Sequence, residues 1–104
     1  TSDNPRSESA DAIIAAILAG MPAPLPAEVQ VQPDRALAIL GAVWQAQSAD
    51  IVLLAGKGPE TTQQNGQTRT PLDDAAWARG ALGPQTAAAG SELAKGSTVT
   101  IKVF

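Results

Sequence analysis

The stretch Ile51-Val52-Leu53-Leu54-Ala55, running into Gly56-Lys57-Gly58-Pro59-Glu60, constrains this chain more than any other. Consecutive apolar residues without alternation predict a strand covered on both faces, the habit of parallel sheets in α/β domains. Such sheets bind ligands beyond the carboxyl ends of their strands, which makes Gly56 to Glu60 the expected binding loop. Glycines there let backbone approach a ligand closely, and Glu60 is able to accept hydrogen bonds from an ammonium or a ribose hydroxyl. The same residues also fit a plain tight turn, the commoner meaning of Gly-x-Gly after a strand.

The rest of the chain supplies helices and strands in the order such a sheet needs. Thr1-Ser2-Asp3-Asn4-Pro5-Arg6 reads as a polar turn, because Pro5 lacks a donor and biases Asn4 away from helix. Ser7-Glu8-Ser9 offers helix caps, and Ile13, Ile14, Ile17, Leu18 and Met21 follow helical spacing. A helix over Ala10 to Ala19 with one buried face is expected, closed by Gly20 and by Pro22, Pro24 and Pro26. Glu28-Val29-Gln30-Val31-Gln32 alternates at period two and predicts a short strand near a sheet edge. A second helix runs from Pro33-Asp34 to roughly Gln47, with Leu37, Leu40 and Trp44 sharing a face that Ile39 and Val43 flank, and Gly41 marking close packing. Asn65-Gly66 signals a hairpin turn, although its flanks carry little apolar side chain. Pro71-Leu72-Asp73-Asp74 opens a helix over Ala75 to Leu82, ended by Gly83-Pro84, with Asp73 or Asp74 as cap. Trp44 and Trp77 read as core or interface anchors. Gln85 to Lys95 is expected to be loosely ordered or partly helical, and Ser97 to Phe104 alternates as a last strand. Repeated crossovers of this kind build parallel sheets, so the expected fold class is α/β, a Rossmann-like three-layer domain with a mostly parallel sheet.

Composition narrows the function classes. With 104 residues the chain is one domain or part of one, and its alanine-rich apolar content buries a modest core. A net charge of −3 without a basic cluster leaves no electrostatic footprint for nucleic acid or an anionic membrane. Without cysteine there is no disulfide framework, and without histidine or cysteine a zinc site is not expected. No apolar stretch is long enough to span a bilayer. No nucleophile–base pair stands out, since the serines sit in caps and loops. Lys57 reads as solvent-facing: Gly-Lys-Gly-Pro-Glu lacks the spacing and the following Ser or Thr of a phosphate loop.

Asp3-Asn4-Pro5-Arg6 and Ala55-Gly56-Lys57-Gly58-Pro59-Glu60 occur here in an order and separation that resemble one enzyme family. The chain is similar to the C-terminal domain of the MurE-type Mur ligases, which add meso-diaminopimelate to UDP-N-acetylmuramoyl-L-alanyl-D-glutamate (UDP-MurNAc-L-Ala-D-Glu). Asp34-Arg35-Ala36 opening the second helix and Leu72-Asp73-Asp74 support the match. The resemblance covers residues 1 to 82 and corresponds to the latter part of that domain, while 83 to 104 form an unmatched tail. Pro59 stands where family members usually carry histidine.

The resemblance implies an ATP- and Mg2+-dependent, cytoplasmic ligase of peptidoglycan precursor synthesis, with both cofactors held mainly outside this segment. The D-glutamate carboxylate is activated as an acyl phosphate, and the diaminopimelate amine attacks it to give the amide. It further implies that this segment recognises the incoming amino acid through Asp3, Asn4, Arg6, Gly56 and Glu60. Arg6 suits a free carboxylate, onto which its guanidinium forks, and Glu60 suits an ammonium. On the residues alone, Asp3 is equally an Asx-turn former and Arg6 a solvated charge or partner of Glu8. A non-catalytic binding or assembly module, and an unrelated α/β nucleotide-binding domain, remain as alternatives. An exposed strand edge would also make the segment self-associate.

Overall fold

The computed structural model describes residues 1–25, 27–88 and 100–103. Among the described residues three helices and four strands follow one another: α1 (Ala10–Ala19), α2 (Arg35–Gln45), β1 (Ile51–Leu54), β2 (Thr62–Asn65), β3 (Thr68–Pro71), α3 (Asp74–Ala88) and β4 (Thr100–Val103). Local chemistry accounts for most boundaries. The Ser9 hydroxyl accepts from the Ala12 amide at the start of α1, and Asp34 accepts from Leu37 at the start of α2. Asp73 accepts from the amides of Ala75 and Ala76, which makes it the cap of α3. The helix then continues through Gly83-Pro84 to Ala88, past its expected end. Proline costs one backbone bond, but the alanines that follow are strong helix formers.

β1 pairs in parallel with β4, Ile51 opposite Thr100 and Leu54 opposite Val103, whereas β2 and β3 form an antiparallel hairpin. The described strands are thus one parallel pair and one antiparallel pair, smaller and more mixed than the mostly parallel three-layer sheet expected. Of the expected final strand, Thr100–Val103 is seen; residues 97–99 and 104, and 89–95 of the tail, lie outside the described residues.

The core lies where α2 and α3 meet β1: Ile39, Val43, Leu54, Ala78 and Ala81, flanked by Leu40, Val52 and Leu82. The two alanines let α3 come close to α2, and the Trp44 indole donates to the Ala81 carbonyl at 3.1 Å. Burial departs from expectation in several places. On α2 the buried face carries Ile39 and Val43, while Leu37 and Trp44, expected to share a packed face with Leu40, are exposed. β1 is covered on one face only, with Ile51 and Leu53 64% and 59% exposed, because no described element packs on that side. Val29 and Val31 are exposed, and 28–32 forms no strand; no described strand lies beside it, and Gln30 bonds the Glu28 and Gln45 side chains instead. At Gly41 a Cβ would meet nothing nearer than Gln45 Nε2 at 3.9 Å, so close packing is not the reason for that glycine. On α1, Ile14 is buried while Ile17 and Leu18 are exposed.

Candidate functional site

The loop after β1 is shaped by positive φ at Gly56 (113°) and Gly58 (54°). The Glu60 amide closes it by donating to the Lys57 carbonyl at 3.1 Å. Pro59 sits inside this turn, where its fixed φ and missing donor leave the Lys57–Glu60 bond intact. Proline at this position is therefore compatible with the loop's hydrogen bond and brings no side-chain donor.

The opening turn docks directly onto this loop. Asn4 Nδ2 donates to Glu60 Oε2 at 2.5 Å, while Asn4 Oδ1 accepts from the Gln64 amide at 2.8 Å. Asp3 stands against Gly56: a Cβ there would lie 3.3 Å from Asp3 Oδ2. Arg6 holds a left-handed backbone (φ 54°), its amide donating to the Gln64 carbonyl at 3.1 Å and its carbonyl accepting from the Gly66 amide at 2.5 Å. Its side chain is exposed, and no described residue forms an ion pair with it. Asp3 thus lies against Gly56 and Asn4 bonds Glu60, so four of the five residues expected at the site meet where the opening turn docks on the loop after β1, while Arg6 is held through its backbone on the adjoining hairpin. Asn4, engaged at both ends of its amide, orients Glu60.

Four further contributors shape the site, of which the sequence plainly signalled only the hairpin, through Asn65-Gly66. The hairpin β2–β3 forms despite its polar strands because the opening turn binds it; Gln63 Nε2 donates to Ser2 Oγ at 3.0 Å and to the Asp3 carbonyl at 2.7 Å. Its two-residue loop is Gly66-Gln67, one residue later than an Asn-Gly-centred turn. Lys57, expected to face solvent, is 3% exposed: its ammonium donates to the Thr62 carbonyl and lies 3.9 Å from Glu60 Oε2. Burial of this charge is tolerable because both acceptors meet it. Arg35 and Asp74 form a buried, bidentate ion pair at 2.9 and 2.6 Å, so Asp74 is a charge partner and not a cap. The Asp74 hydrogen bond raises the Arg35 pKa; burial works against this, and the charges of Asp74 and Asp3 reinforce it. One weak signal for Arg35 exists in the sequence, since a cation in the first turn of a helix opposes the dipole and gains from an acidic partner. Among the described residues no group of three or more His, Cys, Asp or Glu could hold a metal ion.

Taken together, these elements define an α/β unit whose polar site sits at the end of a parallel strand, facing an opening turn that supplies the opposite wall. No protein-family model matches the chain. Curated relatives do. The chain is 46% identical over 87 residues, 84% of its length, to the UDP-N-acetylmuramoyl-L-alanyl-D-glutamate–2,6-diaminopimelate ligase of Xylella fastidiosa. It is 50% identical over 88 residues to the ligase of the same name from Synechococcus elongatus, and 50% over 86 residues to that of Xanthomonas oryzae pv. oryzae. The chain is homologous to a portion of these MurE ligases and spans 17% of their length.

Proposed function

We propose that this chain is the amino-acid-recognising part of an ATP-dependent ligase that adds meso-diaminopimelate to UDP-MurNAc-L-Ala-D-Glu in peptidoglycan precursor synthesis. The observation that supports the reading is the Asn4–Glu60 contact, which joins two motifs far apart in sequence. In this reading the Arg6 guanidinium forks onto a carboxylate of the distal amino-acid centre, and Glu60 takes its ammonium. Asn4 fixes the Glu60 carboxylate, Asp3 binds a further polar group, and Gly56 leaves room for the ligand beside the backbone. The names of the relatives support the substrate assignment. In this reading ATP and Mg2+ are held mainly by the remainder of such a ligase, and no step here passes through them. In this reading the ligase would work in the cytoplasm. Among the described residues no helix is long and apolar enough to cross a membrane.

Calorimetric titration with meso-diaminopimelate and with L-lysine tests the reading. Lysine lacks the distal carboxylate and would leave Arg6 unpaired, so diaminopimelate is expected to bind at least about 100-fold more tightly. Equal affinity for both, or binding of neither, refutes it.

A further inference from the structure

The two halves of the candidate site share one internal tie. Arg35 is 5% exposed and sits in the first turn of α2, between the opening turn and the loop after β1. Its guanidinium is gripped by Asp74, which is 1% exposed. Its remaining donors reach the Ser2 carbonyl at 3.2 Å and the Ala55 carbonyl at 3.0 Å. Those carbonyls belong to the peptide units immediately before Asp3 and before Gly56. A rigid planar fork therefore holds two peptide groups, one from each wall of the site, at a separation set by its own geometry. The Gly56 position confirms how near the three groups lie: a Cβ there would be 3.3 Å from Asp3 Oδ2 and 3.9 Å from Arg35 Nη2.

We propose that Arg35, held by Asp74, is a positioning residue that fixes the spacing between the Asp3–Asn4 turn and the Gly56 loop and thereby sets amino-acid affinity. The proposal rests on the amino-acid-binding reading above. It differs from a purely structural role because fold stability and the spacing of the two walls are read separately. Replacing a buried ion pair by apolar residues of similar volume is often neutral or stabilising. Such a replacement here also removes both carbonyl tethers.

The test compares the unsubstituted chain with Arg35→Met/Asp74→Leu and with Arg35→Lys. Fold is read by circular dichroism and thermal unfolding, meso-diaminopimelate affinity by calorimetry, and the Asp3 and Gly56 amide resonances by NMR. The double variant is expected to stay folded, to bind at least about tenfold more weakly, and to shift both resonances, because neither carbonyl keeps its charged donor. Arg35→Lys is expected to stay folded and weaken binding as well, since a single ammonium cannot face Asp74 and both carbonyls in the guanidinium's arrangement. It decides the matter if the double variant does not fold. A folded variant that binds within about twofold of the unsubstituted chain overturns the proposal and leaves the amino-acid reading standing. So does an affinity loss that merely tracks the unfolded fraction. Absence of diaminopimelate binding by the unsubstituted chain overturns both.

Discussion

Gly56→Ala is the substitution whose outcome the geometry fixes most closely. Gly56 has φ 113°, far from the left-handed helical well near +57° that other residues occasionally visit. Forcing an L-residue into so sparsely populated a region costs of order 1–3 kcal/mol. The new Cβ would also lie 3.3 Å from Asp3 Oδ2, a tight contact. Asp3 is exposed and free to swing, so this second effect moves the carboxylate without adding much to the energy. About 2 kcal/mol of destabilisation results, which lowers Tm by roughly 8–16 °C in a domain of this size.

Thermal unfolding followed by circular dichroism reads the effect, with Gly66→Ala as the control. Gly66 lies at φ 61°, inside the left-handed well, and a Cβ there meets nothing within 4 Å. Its replacement is expected to cost about 1 kcal/mol. If Gly56→Ala unfolds within about 2 °C of the unsubstituted chain, or is milder than the control, the strained loop is not the constraint described.

Three further outcomes follow from the same geometry. Arg6→Asn keeps a residue that tolerates φ 54°, so stability should hold within about 0.5 kcal/mol in urea titration while diaminopimelate binding is lost; retained binding removes Arg6 from the site. Ile51 and Leu53 expose the uncovered face of β1, and sedimentation should show concentration-dependent self-association that Leu53→Lys reduces; a monomer at all micromolar concentrations contradicts this. The folded-state pKa of Arg35 is raised above its unfolded value, so the stability it confers is fully present below the ordinary guanidinium pKa and is lost only above it. Titration of Arg35 should therefore leave stability flat between about pH 7 and 10, and Arg35→Met/Asp74→Leu should show the same profile across that window; an unfolding that begins there and disappears in the double variant would contradict the assignment.

How far the sequence foretold this arrangement depends on which force shaped each element. Helices α1 and α2 were legible because Ser9 and Asp34 cap them by purely local chemistry. The strand at 51–54 was legible from its apolar run, but not its one-sided burial, since what covers a strand depends on distant elements. The alternation at 28–32 is a real pattern that yields no strand among the described residues, because alternation supplies side-chain preference and not a backbone partner. The five site residues came from resemblance rather than from periodicity; the structure brings Asp3 to Gly56 and Asn4 to Glu60, and holds Arg6 by its backbone on the hairpin. Lys57 and Arg35 escaped notice for a shared reason: whether a cation is buried is decided by acceptors remote in sequence, here Thr62, Asp74, Ser2 and Ala55.

That division has a consequence for how site and core respond to change. The core of α2, α3 and β1 is apolar, whereas the walls of the site are joined by side-chain amides, a short hairpin and one guanidinium. Hydrogen bonds exposed to water contribute little net stability each, so the opening turn and hairpin can loosen locally without unfolding the core. Arg35 is the exception, because its helix belongs to the core while its fork reaches into both walls. The precision of the site is thus borrowed from the packing of α2 against α3, through a residue that touches no expected ligand atom itself.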